Sequence, residues 1–163
     1  MGGGVGDRGA IRDRVGAKVK LAAALSPFGE ILMDATIPTS FVAKVQLIHR
    51  MVRTLEANGC IRGDDRYVAE IALDEALNNA IQHGNRGDPR KTIRALLFAD
   101  GCRWGAIIED EGEGFRADAV PDPKREENLL RPCGRGIALM EEYLDELWYN
   151  ERGNAVMLVK KRS

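Results

Sequence analysis

This 163-residue chain is poor in cysteine and almost balanced in charge, and both shortages exclude functions. Its three cysteines, Cys60, Cys102 and Cys133, are odd in number, widely spaced and form no C-x-x-C. That pattern supports neither a disulfide framework nor a cysteine-built zinc site, and it fits a reduced, cytoplasmic setting. Lys and Arg number 24 against 25 Asp and Glu, for a net charge of −1. A chain so balanced has no general attraction for nucleic acid or a membrane surface. Long apolar runs are missing too: Leu21 to Leu25 is the longest near the N-terminus, and Asp7 and Asp13 interrupt the basic leader a signal peptide needs. Neither export nor membrane insertion is expected. What remains, 30% charged and 44% hydrophobic residues, is the make-up of one globular domain with a sizeable core.

Residues 1 to 28 hold Gly2, Gly3, Gly4, Gly6, Gly9 and Gly16 among alternating charges, and read as a flexible tail before a single domain at 29–163. Within that tail, Val15 to Leu25 has the makings of a short helix. Ile31, Met33, Ala35 and Ile37 alternate with polar or smaller neighbours up to Pro38, which predicts a strand at a sheet edge. Thr39 or Ser40 then caps a helix to about Asn58, with Phe41, Val42, Val45, Ile48, Met51, Val52 and Leu55 as a broad apolar face and Gly59 as its end. His49 rides on this helix, and the choice between a phospho-accepting role and an ordinary surface position falls to the latter because no acidic residue follows it.

The stretch from Asp64 to Asn85 predicts one helix of about five turns, opened by two carboxylates and closed at Gly84 in a left-handed end. Ala69, Leu73, Ala76, Leu77 and Ala80 form its core stripe, and Glu70, Asp74 and Asn78 a stripe for water. The third face carries Val68, Ala72, Glu75, Asn79 and Gln82, with Glu75 and Asn79 one turn apart. A carboxylate and an amide among small apolar residues need partners, which predicts a lined pocket; taken alone, the pair also fits a helix-surface hydrogen bond.

Two strands follow, Thr92 to Ala99 and Arg103 to Glu109, turning at Asp100-Gly101. The second runs into D-E-G-E-G-F at residues 110–115, where Asp110 ends the strand and Gly112 and Gly114 let the backbone turn sharply beside a ligand. Such a motif by itself also fits a plain turn. Arg116 to Pro132 is charged and broken by Pro121 and Pro123, and reads as a lid. It leads to Gly134-Arg135-Gly136-Ile137-Ala138-Leu139-Met140, a glycine-flanked turn into a helix start suited to phosphate. Leu147 to Tyr149 and Ala155 to Val159 predict a final antiparallel pair around Arg152-Gly153-Asn154, with Lys160 to Arg162 as a solvated end.

In this order, E-A-L-N-N-A-I-Q-H-G-N, D-E-G-E-G-F and G-R-G-I-A-L-M resemble the N box and the two glycine boxes of the GHKL, or Bergerat-fold, ATPases over residues 31 to 160. The compact chain is most similar to the stand-alone anti-sigma-factor serine/threonine kinases. The resemblance implies an α+β fold: a two-layer α/β sandwich whose mixed, mostly antiparallel sheet is covered on one face by helices. It implies ATP and magnesium as ligands, Glu75 as general base, Asn79 as the magnesium ligand and Asp110 as acceptor of the adenine amino group. Gly112, Gly114 and Phe115 would shape the adenine pocket, and Gly134, Arg135, Gly136 and Ile137 would line the phosphates. Where the family carries Gly-Thr before the last strand this chain has Gly153-Asn154, so Asn154 would have to supply that hydrogen bond. The partners implied are an anti-anti-sigma STAS-like protein and a sigma factor, with a homodimer as the assembly. Two other readings stay open: an ATP-binding partner-switching module without phosphotransfer, and a detached histidine-kinase catalytic domain.

Overall fold

In the computed structural model, residues 19–114 and 140–162 are described. Six strands form one sheet in the order β1-β5-β6-β4-β3-β2. They are β1 (Val19–Ala22), β2 (Glu30–Pro38), β3 (Thr92–Ala99), β4 (Arg103–Asp110), β5 (Glu146–Asn150) and β6 (Ala155–Lys161). Only β1 and β5 run parallel; β2, β3, β4, β6 and β5 pair antiparallel in turn. β2 lies at an edge, so Pro38 at its end removes no ladder hydrogen bond from the interior.

Two helices, α1 (Phe41–Ala57) and α2 (Asp65–Asn79), cover one face. Period-two alternation along β4 and β6 divides the side chains: Ala106, Ile108, Val156 and Leu158 point into the helix-covered core, Ile107, Met157 and Val159 to the other face. There Phe28 meets Phe98 edge to face at 4.8 Å, and Leu25 packs alongside. Met51, Val52 and Leu55 of α1 and Ala69, Leu73, Ala76 and Leu77 of α2 are buried between helix and sheet. Each fully buried large aliphatic chain contributes about 1.5–3 kcal/mol.

The sequence expectations meet the fold unevenly. α1 starts where its cap predicts: the Ser40 hydroxyl accepts from the Ala43 amide at 3.3 Å, and Gly59, at φ 67°, lies just past its end. Its apolar face is narrower than predicted, because Phe41, Val42 and Val45 stay more than half exposed; Val45 lines, with Ile48 and with Tyr67 of α2, an open groove of about 410 Å³. Val19–Ala22, inside the stretch read as tail and short helix, is instead a strand, since β5 offers it a parallel ladder that buries Val19. Residues 1–18 lie outside the described residues. The end of the chain is not simply solvated: Lys160 and Lys161 continue β6, and the Arg162 guanidinium donates to the carbonyls of Asn58, Gly59 and Asp100.

The central helix also ends differently. After Asn79 the backbone widens into one π turn, Ala80–Gly84, with the Asn85 amide bonding the Ala80 carbonyl at 2.8 Å. Gly84 does not adopt the left-handed conformation expected of it. Its lack of a side chain serves proximity: a Cβ there would collide with the Asp110 carboxylate.

Candidate nucleotide site

The contact between Gly84 and Asp110 joins the end of the central helix to the D-x-G-x-G segment. Asp110 is the last residue of β4, and Gly112 follows it so closely under the π turn that a Cβ on Gly112 would strike the Gly84 carbonyl. Only glycine fits at both places. Asp110 Oδ1 accepts from the Gly112 amide at 2.8 Å, while no donor among the described residues reaches Oδ2. Burial pushes this carboxyl up to about 6 and Glu109 adds to the rise, against the Gly112 amide, Arg152 and Lys91, which pull it down. A half-buried carboxylate with one oxygen left over is suited to a ligand amino group, whose hydrogen bond favours the charged form.

Asn154, singled out for the departure at Gly153-Asn154, is brought to this place. Its carbonyl accepts from the Asp110 amide at 2.9 Å and its side-chain Nδ2 donates to the Asp110 carbonyl at 3.2 Å. It grips the main chain of Asp110 from the side. Asn150, unnoticed in the sequence, makes that possible: its Oδ1 accepts from the amides of Gly153, Asn154 and Ala155, and its Nδ2 donates to Asn154 Oδ1 at 2.7 Å. Gly114, at φ 81°, sits against the Arg152 carbonyl, where a side chain has no room.

The other residue missed as a site element is Asn85, which the sequence showed only as the last letter of a motif. It is fully buried. Its Nδ2 donates to Thr39 Oγ1 and to the Thr92 carbonyl, both at 2.9 Å, and its Oδ1 accepts from the Glu111 amide at 2.8 Å. One carboxamide thereby joins the start of α1, the start of β3 and the residue after Asp110 to the end of the central helix. Glu111 is held a second time, accepting from the amide and hydroxyl of Thr92 at 2.6 Å each.

One helical turn before the π turn, the chemistry changes. Glu75 and Asn79 are half-buried on adjacent turns of α2, and the Asn79 amide makes no side-chain hydrogen bond among the described residues. Burial raises the Glu75 carboxyl above its usual range and neighbouring Asp74 raises it further, while Lys44 opposes both. The stripe expected to face water does something else. Asp74 and Asn78 both accept from Lys44 Nζ of α1, at 2.7 and 2.8 Å, and only Glu70 pairs on the surface, with Arg66 at 3.0 Å.

Among the described residues no three His, Cys, Asp or Glu side chains gather into a metal cage. An uncommitted amide oxygen beside a carboxylate nevertheless fits magnesium, a hard cation that takes one or two protein oxygens and the rest from phosphates and water. Phe115, Gly134, Arg135, Gly136, Ile137 and the lid from Arg116 to Pro132 lie outside the described residues.

Comparison with known proteins meets this geometry at the level of family. The model of the histidine kinase-like ATPase domain matches residues 39–160, from the Thr39 that bonds Asn85 to the end of the sheet. The chain belongs to that family. This ATPase domain is 32% identical over 107 residues to a serine-protein kinase RsbW of Staphylococcus epidermidis, covering 60% of this chain and 66% of that one. It is 33% identical over 100 residues to serine-protein kinase RsbW of Bacillus subtilis, covering 56% and 61%. An anti-sigma F factor of Bacillus cytotoxicus matches at 30% over 80 residues, covering 48% and 55%. The matched part thus spans from just over half to just under two thirds of these relatives' length. Among the described residues, no helix is long and apolar enough to cross a membrane.

Proposed function

We propose that this ATPase domain is a cytoplasmic, magnesium-dependent protein serine/threonine kinase and anti-sigma factor. It phosphorylates a STAS-like anti-anti-sigma protein and holds a sigma factor when that partner is absent. The observation that carries the reading is the Asp110 carboxylate, half-buried between Gly84 and Gly112 with one oxygen uncommitted, at the end of the helix that bears Glu75 and Asn79.

In this reading Asp110 Oδ2 accepts from the adenine amino group, and Asn154 and Asn85 keep it from moving as the base arrives. Asn79 faces the triphosphate through its amide oxygen. Magnesium held there and by the phosphates would neutralise charge on the transferring group. Glu75 takes the proton from the partner's serine hydroxyl as the serine oxygen bonds the γ-phosphorus and the bond to the ADP oxygen breaks. Its raised proton affinity suits that step, since a base works best with a pKa near the working pH. Gly134, Arg135, Gly136 and Ile137 are assigned to the phosphates, and Gly112, Gly114 and Phe115 to the adenine pocket, by their motifs. The exposed Phe41, Val42, Val45 and Tyr67 support a protein partner or a second copy of the chain, because apolar side chains in contiguous exposed groups mark interaction surfaces.

Incubation with γ-labelled ATP, magnesium and the STAS-like partner is expected to place acid-stable label on the partner, and Glu75→Ala to abolish it. Absence of label with wild type, alongside tight ATP binding, would leave the partner-switching module without transfer. Acid-labile label would point to a detached histidine-kinase domain instead.

A further inference from the structure

The family motif accounts for Glu75 and Asn79 but not for the cluster on the adjacent flank of the same helix. Lys44 is a lysine whose side chain is only 9% exposed, a rare position for a charge unless it is paired. Its Nζ bridges Asp74 Oδ1 at 2.7 Å and Asn78 Oδ1 at 2.8 Å, and Asn78 Nδ2 closes the triangle on Asp74 Oδ2 at 3.1 Å. The centroid of the half-exposed Phe41 ring lies 5.3 Å from the ammonium. All of this joins α1 to α2 at two residues spaced one turn apart.

Asp74 immediately precedes Glu75, and Asn78 immediately precedes Asn79. A helix turn gripped at two points four residues apart can neither roll about its axis nor unwind between them, so the residues that follow each point share the constraint. Surface ion pairs between long side chains seldom restrain anything, but this ammonium is buried, has two acceptors and carries a ring over it. Among the described residues, no other side-chain hydrogen bond of α2 crosses from that turn to another element. Farther on, Asn85 fixes the helix end to the adenine side, through bonds that do not involve Lys44. The two ends of the site therefore have separate anchors.

We propose that Lys44 is a positioning residue for the triphosphate end of the site, holding the Glu75–Asn79 turn in phase through Asp74 and Asn78. The inference rests on the reading of Asn79 as facing magnesium and phosphate. Lys44 touches neither; it acts through the helix flank.

The test is the strengthening of ATP binding by magnesium, measured by calorimetry as the ratio of the two dissociation constants, metal-free over metal-containing. In Lys44→Met this ratio is expected to fall at least tenfold while metal-free ATP affinity stays within twofold, because the adenine anchor is untouched. Asp74→Asn, which keeps shape and is exposed enough to fold, is expected to behave alike. Adding it to Lys44→Met should change the ratio little further, the mark of a shared unit. Lys44→Arg, which keeps the charge and can reach both acceptors, should recover part of the ratio. An unchanged ratio in either single variant, or equal loss of affinity with and without metal, overturns the proposal. A wild-type protein with no magnesium effect would instead refute the reading of Asn79, and this role of Lys44 with it.

Discussion

The two ends of the central helix treat their polar groups in opposite ways. Around Asp110 nearly every polar atom has a protein partner: Asn85 makes three bonds, Asn150 Oδ1 accepts three, and Asn154 ties both the amide and the carbonyl of Asp110. Around Glu75 and Asn79 the acceptors have no hydrogen-bond partner among the described residues, while a neighbouring side-chain cluster holds the helix. Groups committed to protein are costly to leave unmade, so the first region is already braced, as the proposed role of holding a flat base requires. In the second, the uncommitted oxygens would, in the proposed function, be completed by a ligand that brings its own charge and cation.

The contrast is broken most severely at Glu75. Glu75→Ala is expected to slow phosphoryl transfer by about 10²–10⁴-fold. ATP affinity measured by calorimetry should move little; a parallel loss of affinity would mean that the carboxylate serves binding and that the two ends are not distinct.

Next in size is Asn85→Ala, which takes away the partner of the part-buried Glu111 amide and Thr92 carbonyl and of the Thr39 hydroxyl. Unmet buried polar groups cost about 1–3 kcal/mol each, so chemical denaturation should register a loss of several kcal/mol. Nucleotide affinity should fall as well because Asp110 loses its support. Full stability in this variant would show that the braced region is not held from within.

Asp110→Asn separates stability from binding. ATP affinity should fall about 10–100-fold, as expected when a charge-assisted hydrogen bond is replaced by a poorly matched amide. The melting temperature at pH 7.5 should rise, since the charged carboxyl is disfavoured by burial. The sign follows from the raised pKa: a carboxyl at about 6 in the fold and 3.8 in the unfolded chain favours the fold when protonated. That contribution is full below pH 3.8 and is lost as the pH climbs through about 6. Adenine binding runs the other way. Wild-type ATP affinity should weaken below about pH 6, with proton release on binding detectable by calorimetry in buffers of different ionisation enthalpy. Flat affinity from pH 5 to 7 would remove Asp110 from the contact.

The smallest effect lies at the cap of α1, whose hydroxyl bonds the Ala43 amide and takes part in neither anchor. Ser40→Ala should cost about 1 kcal/mol by thermal unfolding, with no change in transfer. A change in transfer would mean that the start of α1 already carries influence to Glu75.

Much of this was legible in the sequence where local pattern and tertiary need agree. Periodicity placed α1, β2, β3, β4 and β6, and the spacing of Glu75 from Asn79 and of Asp110 from Gly112 and Gly114 singled out the candidate site. What escaped was set by distant partners. β1 exists because β5 lies beside it, and four residues are too few for periodicity to declare. Lys44 drew no notice because its acceptors are 30 and 34 residues away. Gly84 was read from its freedom of φ, when the reason for it is the Asp110 carboxylate, a neighbour only the folded chain supplies.

A regular α-helix advances each residue by about 100° around its axis, and the π turn at Ala80–Gly84 holds one more residue than such a turn would. That surplus residue works as an angular spacer. It dials the carboxamide of Asn85 inward, toward Thr39 and Thr92, when an uninterrupted helix would swing it roughly a quarter of a circle aside. Excising Ala80 alone would let the turn relax to ordinary α geometry with Asn85 still facing inward, whereas forcing the full-length stretch into a regular helix would unseat the bolt on which three elements close.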